Sequence, residues 1–508
     1  MRPLPANRFT VLGLVVLALV ALAGVAWLSK PVTVSAGQQQ AVPRSVPVST
    51  GVRACPAPGA PSSHGAGLAV LAAAGHLGPG RATVSRLSAG AAASAAGAAS
   101  AAGPLRTLAQ PGTTSASAVP AAAGGKAPPA GAKNAAVVQP GGVMIQAAGS
   151  MAQGLEVEQT SAGGVVTASC ASPGTDFWFA VPGQQSAGTI ELSLMNTDGQ
   201  AATADVDIYT DAGPLQSGVD TGINVPAHGL VMQSLAGLVH GSRAVGLHVR
   251  TSIGRVVAAL RESTRLGDAG QWLPPAQSPA THLVIPGMPA SKGPRVLYLA
   301  DGGSSDAQVN LAVVSPGGTY EPTGAGSIAI PAGSANRIEL PSLSGVAGAL
   351  VVTSTVPVAA AVSVPGGQAG APGAMTAAAP AVFEQGVLAH VGQRPYATTL
   401  VLSATGPAAR VRLRTGVTGL ASGGSSATQV VSIRARHSVT VSIAAVRGAH
   451  ESAGFGLVLT PLPGSGPVYA GAVIAQAGGT VLGILPVASA LTSVPLPQVR
   501  GSLATTAP

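Results

Sequence analysis

The segment IELSLMNTDGQAATADVDIYTDAG, residues 190–213, contains two predicted β-strands joined by a turn rich in Asn, Asp and Gly. In the second strand, ADVDIYT, the apolar Val206 and Ile208 alternate with acidic residues. Successive side chains of a strand point to opposite faces of a sheet, so this pattern places one face in a core and the other in solvent. The segment therefore predicts a half-buried pair of strands rather than a helix.

Two later segments repeat this pattern, each about 105 residues after the previous one. They read VLYLADGGSSDAQVNLAVVSPGG from Val296 and TLVLSATGPAARVRLRTG from Thr399. The spacing is close to the size of a β-sandwich domain, and the 69 Gly and 42 Pro residues suit many turns. We therefore expect an all-β chain of tandem immunoglobulin-like β-sandwiches after one N-terminal transmembrane helix. A β-propeller of short blades is the alternative.

The expected transmembrane helix is the apolar run VLGLVVLALVALAGVAWL, residues 11–28. No charged residue lies between Arg8 and Lys30, and a run of this length can cross a bilayer as one helix. Arg2 and Arg8 precede it, which favours a cytoplasmic N-terminus. We predict a signal anchor in the plasma membrane with an extracytoplasmic C-terminal body. Secretion after cleavage near residues 34–36 is the alternative.

The composition changes along the chain and predicts seven parts. Ala, Gly, Ser and Pro dominate the stretch before residue 140 and cannot bury enough apolar surface to form a core. The predicted parts are a cytoplasmic tip and transmembrane signal anchor (1–30), strands that pair with the first β domain (31–87), a flexible Ala/Gly/Ser/Pro-rich insertion (88–139), a first (140–266), second (267–380) and third (381–490) β domain, and a disordered tail (491–508).

The charge distribution is uneven. Only 8% of the residues are charged, against roughly 25% in an average globular protein. The net charge is +9, and ten basic residues but no acidic residue precede Glu156. Sparse positive charge near a membrane suits anionic lipid headgroups or anionic wall polymers. Nucleic acid is not an expected partner, because its binding needs a denser basic face, and aromatic residues make up only 3% of the chain.

The chain has two cysteines, Cys55 and Cys170. In an oxidising compartment an isolated pair is most simply one disulfide. Two free buried thiols are the alternative. The disulfide would connect the N-terminal strands to the first β domain across the low-complexity stretch.

Five arginines form a candidate anion-binding site in the third copy. Arg410, Arg412 and Arg414 alternate along one predicted strand and therefore share a face, and Arg434 and Arg436 follow nearby. A solvated or edge-protecting face is the alternative interpretation.

Other candidate residues carry weaker signals. Trp178 and Trp272 are candidate aromatic contacts. We expect Trp178 to form a disulfide-plus-aromatic core with Cys170, and a binding role for residues 177–179 is the alternative. Trp272 suggests an aromatic plug between domains, with a ligand-stacking tryptophan as the alternative. The acidic cluster of Asp205, Asp207, Asp211 and Asp220 offers oxygen ligands that Ca²⁺ could use. Its spacing fits no known calcium loop, so a solvated strand face is the preferred interpretation, and we expect neither a metal nor a cofactor.

The sequence lacks the G-x-S-x-G, H-E-x-x-H and G-x-x-x-x-G-K-[ST] motifs. We therefore expect a protein that is not an enzyme, with a scaffold or binding role toward wall polymer or envelope proteins. The alternative is an accessory factor or hydrolase acting on envelope glycans. Such an enzyme would need two carboxylates about 5–9.5 Å apart, recruited from residues such as Asp176, Asp268 or Glu384.

Several short motifs together resemble a known family. They are Cys55-Pro56, Cys170 followed by Trp178-Phe179, then Trp272-Leu273-Pro274, and VIPG at residues 284–287. With the anchor, this order is similar to a secreted or membrane-anchored protein family of high-GC actinobacteria that is defined by a domain of unknown function. The resemblance implies an extracytoplasmic envelope protein. It implies no catalytic residues.

Overall fold

The fold is nearly all β, as seen in a computed structural model of the chain. The structure describes residues 8–28, 45–56, 67–72, 80–89, 106–109, 142–160, 166–184, 189–215, 221–263, 270–364, 373–392, 395–416, 427–443, 455–476, 479–487 and 489–495. One compact unit spans Pro47–Val494, and a second contains Met1–Val46 and Pro495–Pro508. The prediction of an all-β chain is therefore confirmed.

The second unit contains the single α-helix of the described residues, α1, which covers Arg8–Leu28. Side chains of this helix are described at 13 and 15–24. Across the part of the chain that the structure describes, no helix is both long enough and apolar enough to count as a membrane span.

The body begins with an N-terminal module of two small sheets. The early strands are β1 (Ser45–Pro47), β2 (Thr50–Cys55), β3 (Gly67–Leu71), β4 (Arg81–Arg86), β5 (Ser88–Ala89), β6 (Arg106–Ala109), β7 (Val143–Ala148), β8 (Glu156–Thr160) and β9 (Val166–Ser169). One sheet has the order β2-β7-β4-β6 and the other β3-β8-β9, and a shared core lies between them. A short 3-10 helix, Gly149–Met151, lies between β7 and β8. Strands β5 and β6 fall in the predicted insertion, most of which lies outside the described residues.

The first module contains the segment that opened the sequence analysis. Its strands are β10 (Asp176–Pro182), β11 (Thr189–Met195), β12 (Ala202–Thr210), β13 (Gly213–Leu215), β14 (Ile223–Val225), β15 (Gly229–Ser234), β16 (Ala244–Ile253), β17 (Val257–Ser263) and β18 (Gln271–Leu273). One sheet has the order β10-β16-β12-β13, with β14 also on β12, and the other has the order β18-β17-β11-β15-β5. Burial alternates along the whole of β12, as its sequence predicts. Residues from both sheets form the core.

The second module is one eight-stranded sheet that folds around its longest strand. Its strands are β19 (Ala280–Met288), β20 (Arg295–Ala300), β21 (Ala307–Ser315), β22 (Gly318–Tyr320), β23 (Ile328–Ile330), β24 (Ala335–Leu340), β25 (Gly348–Val364) and β26 (Ala374–Ala377), with a 3-10 helix at Pro341–Leu343. The first half of β25 pairs with β21, and the second half pairs with β20 and β26. Pro357 stands between the two halves. Because proline has no N–H for a ladder, it suits the point where β25 changes partners.

The third module again has two sheets around one core. Its strands are β27 (Gly386–Val391), β28 (Ala397–Ala404), β29 (Ala409–Gly416), β30 (Thr428–Ile433), β31 (His437–Ser442), β32 (Phe455–Pro461), β33 (Val468–Ala475) and β34 (Val481–Pro486), and the short strand β35 (Ser493–Pro495) follows. The sheet orders are β27-β32-β29-β30 and β31-β28-β33-β34.

Glycine and alanine allow the modules to pack at short range. A Cβ on Gly246 of the first module would lie 2.5 Å from the Cβ of Ala300 in the second. A Cβ on Gly471 of the third module would lie 2.5 Å from the Cα of Gly287, within the VIPG motif of the second. Since real Cβ atoms do not approach this closely, larger side chains would separate the modules. Gly246, Gly287 and Gly471 therefore serve contacts between modules.

Pro47–Val494 forms one compact unit, and the domain boundaries within it stay a prediction. The predicted disordered tail, 491–508, contains β35, and residues 496–508 lie outside the described residues.

Candidate functional site

The candidate site is a row of three arginines on β29 in the third module. Arg410, Arg412 and Arg414 are exposed, whereas Val411 and Leu413 between them are fully buried in the core. Alternate side chains on a strand are about 7 Å apart. The three guanidinium groups therefore form a line of positive charge, which we call the arginine strip.

Two further arginines lie beyond one end of the strip. Strand β30 places Ser432 opposite Arg410. Arg434 is exposed and follows directly after β30, two residues past Ser432, so it extends the line beyond Arg410. Arg436 is exposed in the next turn with a φ of 60°, and its carbonyl accepts a hydrogen bond from Thr319 of the second module at 2.9 Å.

Neutral side chains surround the strip. Opposite Arg412 lie Val430 on β30 and Thr460 on β32, and Thr428 lies opposite Arg414. None of the ion pairs formed by the described residues involves an arginine of the strip, Arg434 or Arg436. Between residues 381 and 490 the sequence has seven arginines and only two glutamates. The face is therefore positively charged and unneutralised in the described part of the chain.

The N-terminal module covers the other half of this sheet. Val387, Ala389 and Val458, on β27 and β32, pack against Ala69 and Leu71 of β3. One half of the outer face is therefore an internal contact, and the half that carries the arginine strip stays open.

The predicted disulfide between Cys55 and Cys170 is confirmed. Cys55 ends β2 in one sheet of the N-terminal module, and Cys170 follows β9 in the other sheet. Both side chains are buried in the core of that module. The N–H of Ala54 also donates to the carbonyl of Ala171 at 2.9 Å. The bond therefore joins the two sheets of one module.

A second polar cluster lies on the outer face of the first module. The ring of Trp178 stacks on His248, with centroids 4.1 Å apart and planes at 11°. Nε2 of His248 lies 3.2 Å from Oδ2 of Asp176, and Nδ1 lies 3.4 Å from Oδ2 of Asp207. Strands β10, β16 and β12 bring these residues together. The residues are far apart in sequence, so the sequence did not predict the cluster. It indicated only that each of them lies on the outward face of its strand.

Trp178 takes part in a contact between modules. Its ring is buried, and Tyr209 is stacked parallel to it at a centroid distance of 6.0 Å. A Cβ on Gly302 of the second module would lie 2.5 Å from the indole. Trp178 therefore packs in the core of the first module and against the second module, whereas Cys170 lies in the core of the N-terminal module, so the expected core of disulfide and tryptophan is wrong.

The candidate metal-binding aspartates have separate partners. Oδ1 of Asp205 accepts the N–H of Gly222 at 2.8 Å, and Asp211 accepts hydrogen bonds from the backbone and side chain of Arg243. Asp207 faces His248, and Asp220 lies outside the described residues. Within the described ranges, no group of three or more His, Cys, Asp or Glu side chains is arranged to hold a metal ion.

Residues 119–444 match a protein family described as a family of unknown function, DUF5719. The match covers more than half of the chain. The chain belongs to this family. Comparison with curated proteins gave no match, and comparison with solved structures gave none. The secreted, membrane-anchored and actinobacterial character that the sequence motifs imply stays a prediction.

The DUF5719 region includes Trp272, the other candidate aromatic contact. Trp272 is half-buried on β18 opposite Arg261 of β17. The guanidinium carbon of Arg261 lies 6.0 Å from the ring centroid, at the outer limit of a cation–π contact. Arg261 also donates to Glu191 at 2.9 Å. Trp272 therefore packs within its own sheet.

The carboxylates considered for glycan hydrolysis have separate surroundings. Asp176 faces His248 in the first module. Glu384 lies before the third module, where the hydroxyls of Thr492 and Ser493 donate to its carboxylate at 2.9 and 3.1 Å. Asp268 lies outside the described residues.

A pair of buried glutamates on β8 was not singled out from the sequence. Glu158 is fully buried, and its two oxygens accept the N–H groups of Ala389 and His390 on β27 at 3.1 and 2.8 Å. Burial raises the pKa of Glu158 to about 8, and the nearby Glu156 raises it further. Burial also raises the pKa of Glu156 to about 7, against the lowering effect of Arg53. The sequence feature that could have indicated this pair is the alternation Glu156-Val157-Glu158, in a chain with few acidic residues.

Asp301 of the DUF5719 region occupies the same structural position as Asn196 one repeat earlier. Each residue follows directly after a strand and is fully buried. Oδ1 of Asn196 accepts the N–H of Asp198, and Oδ1 of Asp301 accepts the N–H of Gly303 in the same way. Nδ2 of Asn196 donates to the carbonyls of Gln200 and Val225. Oδ2 of Asp301 has no hydrogen-bond partner among the described residues, and burial raises the pKa of this carboxyl. Only a protonated acid could imitate the donor that Asn196 supplies.

We expect Asp301→Asn to raise the free energy of unfolding at neutral pH by about 1–3 kcal/mol, because the amide supplies the missing donor. A raised folded pKa stabilises the protein only at low pH, and this stabilisation is lost as the pH rises through the folded pKa. The gain from the amide should therefore be smaller in acid. Thermal unfolding at acidic and neutral pH measures it. The reverse change, Asn196→Asp, is the matched control and should destabilise at neutral pH. A destabilised Asp301→Asn protein at neutral pH would contradict the assignment.

Proposed function

We propose that this DUF5719 protein is a non-enzymatic, membrane-anchored protein of the extracytoplasmic cell envelope that binds anionic wall polymer. The observation that carries the proposal is the arginine strip, Arg410, Arg412 and Arg414, exposed on one strand face without an acidic partner among the described residues. The binding surface is this strip, continued by Arg434.

The physical argument is charge repulsion. Arginines at alternate positions of a strand repel one another. Three exposed arginines elsewhere have acidic partners, Arg243 with Asp211, Arg255 with Asp198, and Arg337 with Glu339. Arg81 and Arg86 are exposed without an ion pair among the described residues, but they do not stand at alternate positions of a strand. An anionic polymer that runs along β29 relieves the repulsion through charge-assisted hydrogen bonds. The strip lies along one exposed strand face, which suits an extended polymer.

The proposed location rests on two features of the chain and the proposed fold on a third. The sequence has an uninterrupted apolar run at residues 11–28, preceded by Arg2 and Arg8. The disulfide suits an oxidising compartment. The paired sheets of the first and third modules support immunoglobulin-like sandwiches as the fold of the binding body.

We expect the triple variant Arg410→Gln, Arg412→Gln, Arg414→Gln to weaken polyanion binding at low salt by about tenfold or more, since three charge contacts of about 0.5–1 kcal/mol each are lost. The full chain is titrated with linear polyphosphate and with an anionic wall-polymer fraction, at several salt concentrations. The wild-type affinity should fall steeply with salt and that of the variant less steeply.

The matched control removes the same net charge elsewhere. The variant Arg243→Gln, Arg255→Gln, Arg337→Gln loses three exposed arginines that already have acidic partners. It should bind polyanion nearly as well as the wild type. Equal loss in both triple variants, or no binding by the wild type at low salt, would show the strip to be an ordinary solvated face.

A further inference from the structure

Three exposed apolar side chains lie at the end of the body where the chain enters and leaves it. They belong to Phe383, Leu491 and Val494, which are 80%, 55% and 44% exposed. We call these residues the apolar tip. Large apolar side chains exposed together mark a surface that contacts another apolar phase.

Hydrogen bonds bring the two segments of the tip together. The N–H of Phe383 donates to Oγ of Ser489 at 3.0 Å, and the N–H of Ala490 donates to the carbonyl of Gln385 at 2.7 Å. The carboxylate of Glu384 accepts from Thr492 and Ser493. Residues 381–386 and 489–493 therefore lie side by side.

The first residues of the body lie beside the same segment. The N–H of Val48 donates to the carbonyl of Thr492 at 3.0 Å. Across the described residues 45–50, 381–386 and 489–494, Glu384 is the single charged residue, and its carboxylate is satisfied by hydroxyl groups. The described residues of the tip therefore carry few charged groups that would have to stay in contact with water.

The length of chain before the body limits its distance from α1. Helix α1 ends at Leu28, and β1 begins at Ser45. The intervening residues 29–44 can span at most about 55 Å when fully extended. If α1 is in a bilayer, the point where the chain enters the body, and with it the tip, lies within this reach of the bilayer and can touch its surface.

We propose that the apolar tip inserts into the surface of the bilayer that holds α1, with Phe383 as the deepest side chain. This inference rests on the proposed membrane anchoring. Burying a Phe or Leu side chain in an apolar phase is favourable, and the strength of an interfacial contact grows with the apolar area that it buries. The lipid surface is thus the partner of this end of the body, and the arginine strip is a separate site for polymer.

The test uses the full chain in vesicles of phosphatidylcholine and phosphatidylglycerol. Both native cysteines are in the disulfide, so Phe383→Cys introduces one thiol that a polarity-sensitive fluorophore labels selectively. The matched control is Ile253→Cys on the first module, where the parent side chain is 63% exposed. Lipids with a quencher on the acyl chain report contact with the hydrocarbon region.

We expect the label at 383 to shift to shorter wavelength and to be quenched at least about threefold more strongly than the label at 253, because acyl-chain quenchers are confined to the bilayer core. Equal, weak quenching at both sites in protein that floats with the vesicles overturns the tip but leaves the anchor. A spectral shift without lipid quenching that grows with protein concentration identifies a second copy as the partner and also overturns it. Protein that does not float overturns both the anchor and the tip.

Discussion

Replacement of Cys170 by serine is expected to lower the free energy of unfolding by about 2–5 kcal/mol. The disulfide closes a loop of 115 residues, so its loss gives the unfolded chain much more freedom. Cys55 and Cys170 are also buried in a small core between two sheets of four and three strands. Such a core has little apolar surface to spare.

The measurement is thermal unfolding of the full chain with and without reductant. Reduction of the wild type should lower the unfolding temperature as much as Cys170→Ser does. The double variant Cys55→Ala, Cys170→Ala separates the loss of the bond from the unpaired thiol that Cys170→Ser leaves on Cys55. Two titratable thiols in the unfolded, unreduced protein would contradict the bond.

Raising the pH from about 5 to about 9 is expected to destabilise the protein through Glu156 and Glu158. Burial raises the folded pKa values of Glu156 and Glu158 to about 7 and about 8 from the ordinary value of 4.5. The folded state therefore binds these protons more tightly than the unfolded chain. The stabilisation is fully present below the unfolded pKa and is lost as the pH rises through 7 to 8. Each pKa unit corresponds to about 1.4 kcal/mol, so the total loss is on the order of several kcal/mol.

Two variants distinguish the roles of the glutamates. Glu156→Gln should flatten the fall of unfolding temperature with pH, because it removes one ionisation and the charge that opposes ionisation of Glu158. Glu158→Gln should destabilise at every pH, because an amide NH₂ would face a backbone N–H of β27 that now meets a carboxyl oxygen. Glu191→Gln, at a partly exposed ion pair, is the control and should keep the wild-type pH dependence. A pH profile unchanged in Glu156→Gln would contradict the assignment.

The alternation of apolar and polar residues predicted the strands, because each side chain of a strand faces either the core or the outer surface of the sheet. The alternation in β12 and in β29 assigns each side chain to the core or to the outer face. Whether an outer face meets water is a different question. The outer face of β27 and β32 packs on the N-terminal module, whereas that of β29 and β30 stays open.

The clusters between strands could not be predicted for the same reason. His248 meets Asp176 and Asp207 through strand pairing, and Glu158 meets β27 more than 200 residues away in sequence. Neither contact leaves a motif, since the partners are separated by intervals that depend on sheet order. Strand β25 gives a related example. Its one long apolar run pairs with β21 before Pro357 and with β20 after it, and this change of partner strand is not visible in the sequence.

The sequence by itself determined that the body is β and that three arginines share one strand face, and it favoured pairing of the two cysteines. These properties follow from the two-residue period of a strand and from the chemistry of a single pair of thiols. Only the tertiary structure decided which outer faces are covered, which glycines permit modules to approach, and where Glu158 and His248 find partners. Those outcomes depend on contacts between residues far apart in the chain, and packing geometry at short range selects them.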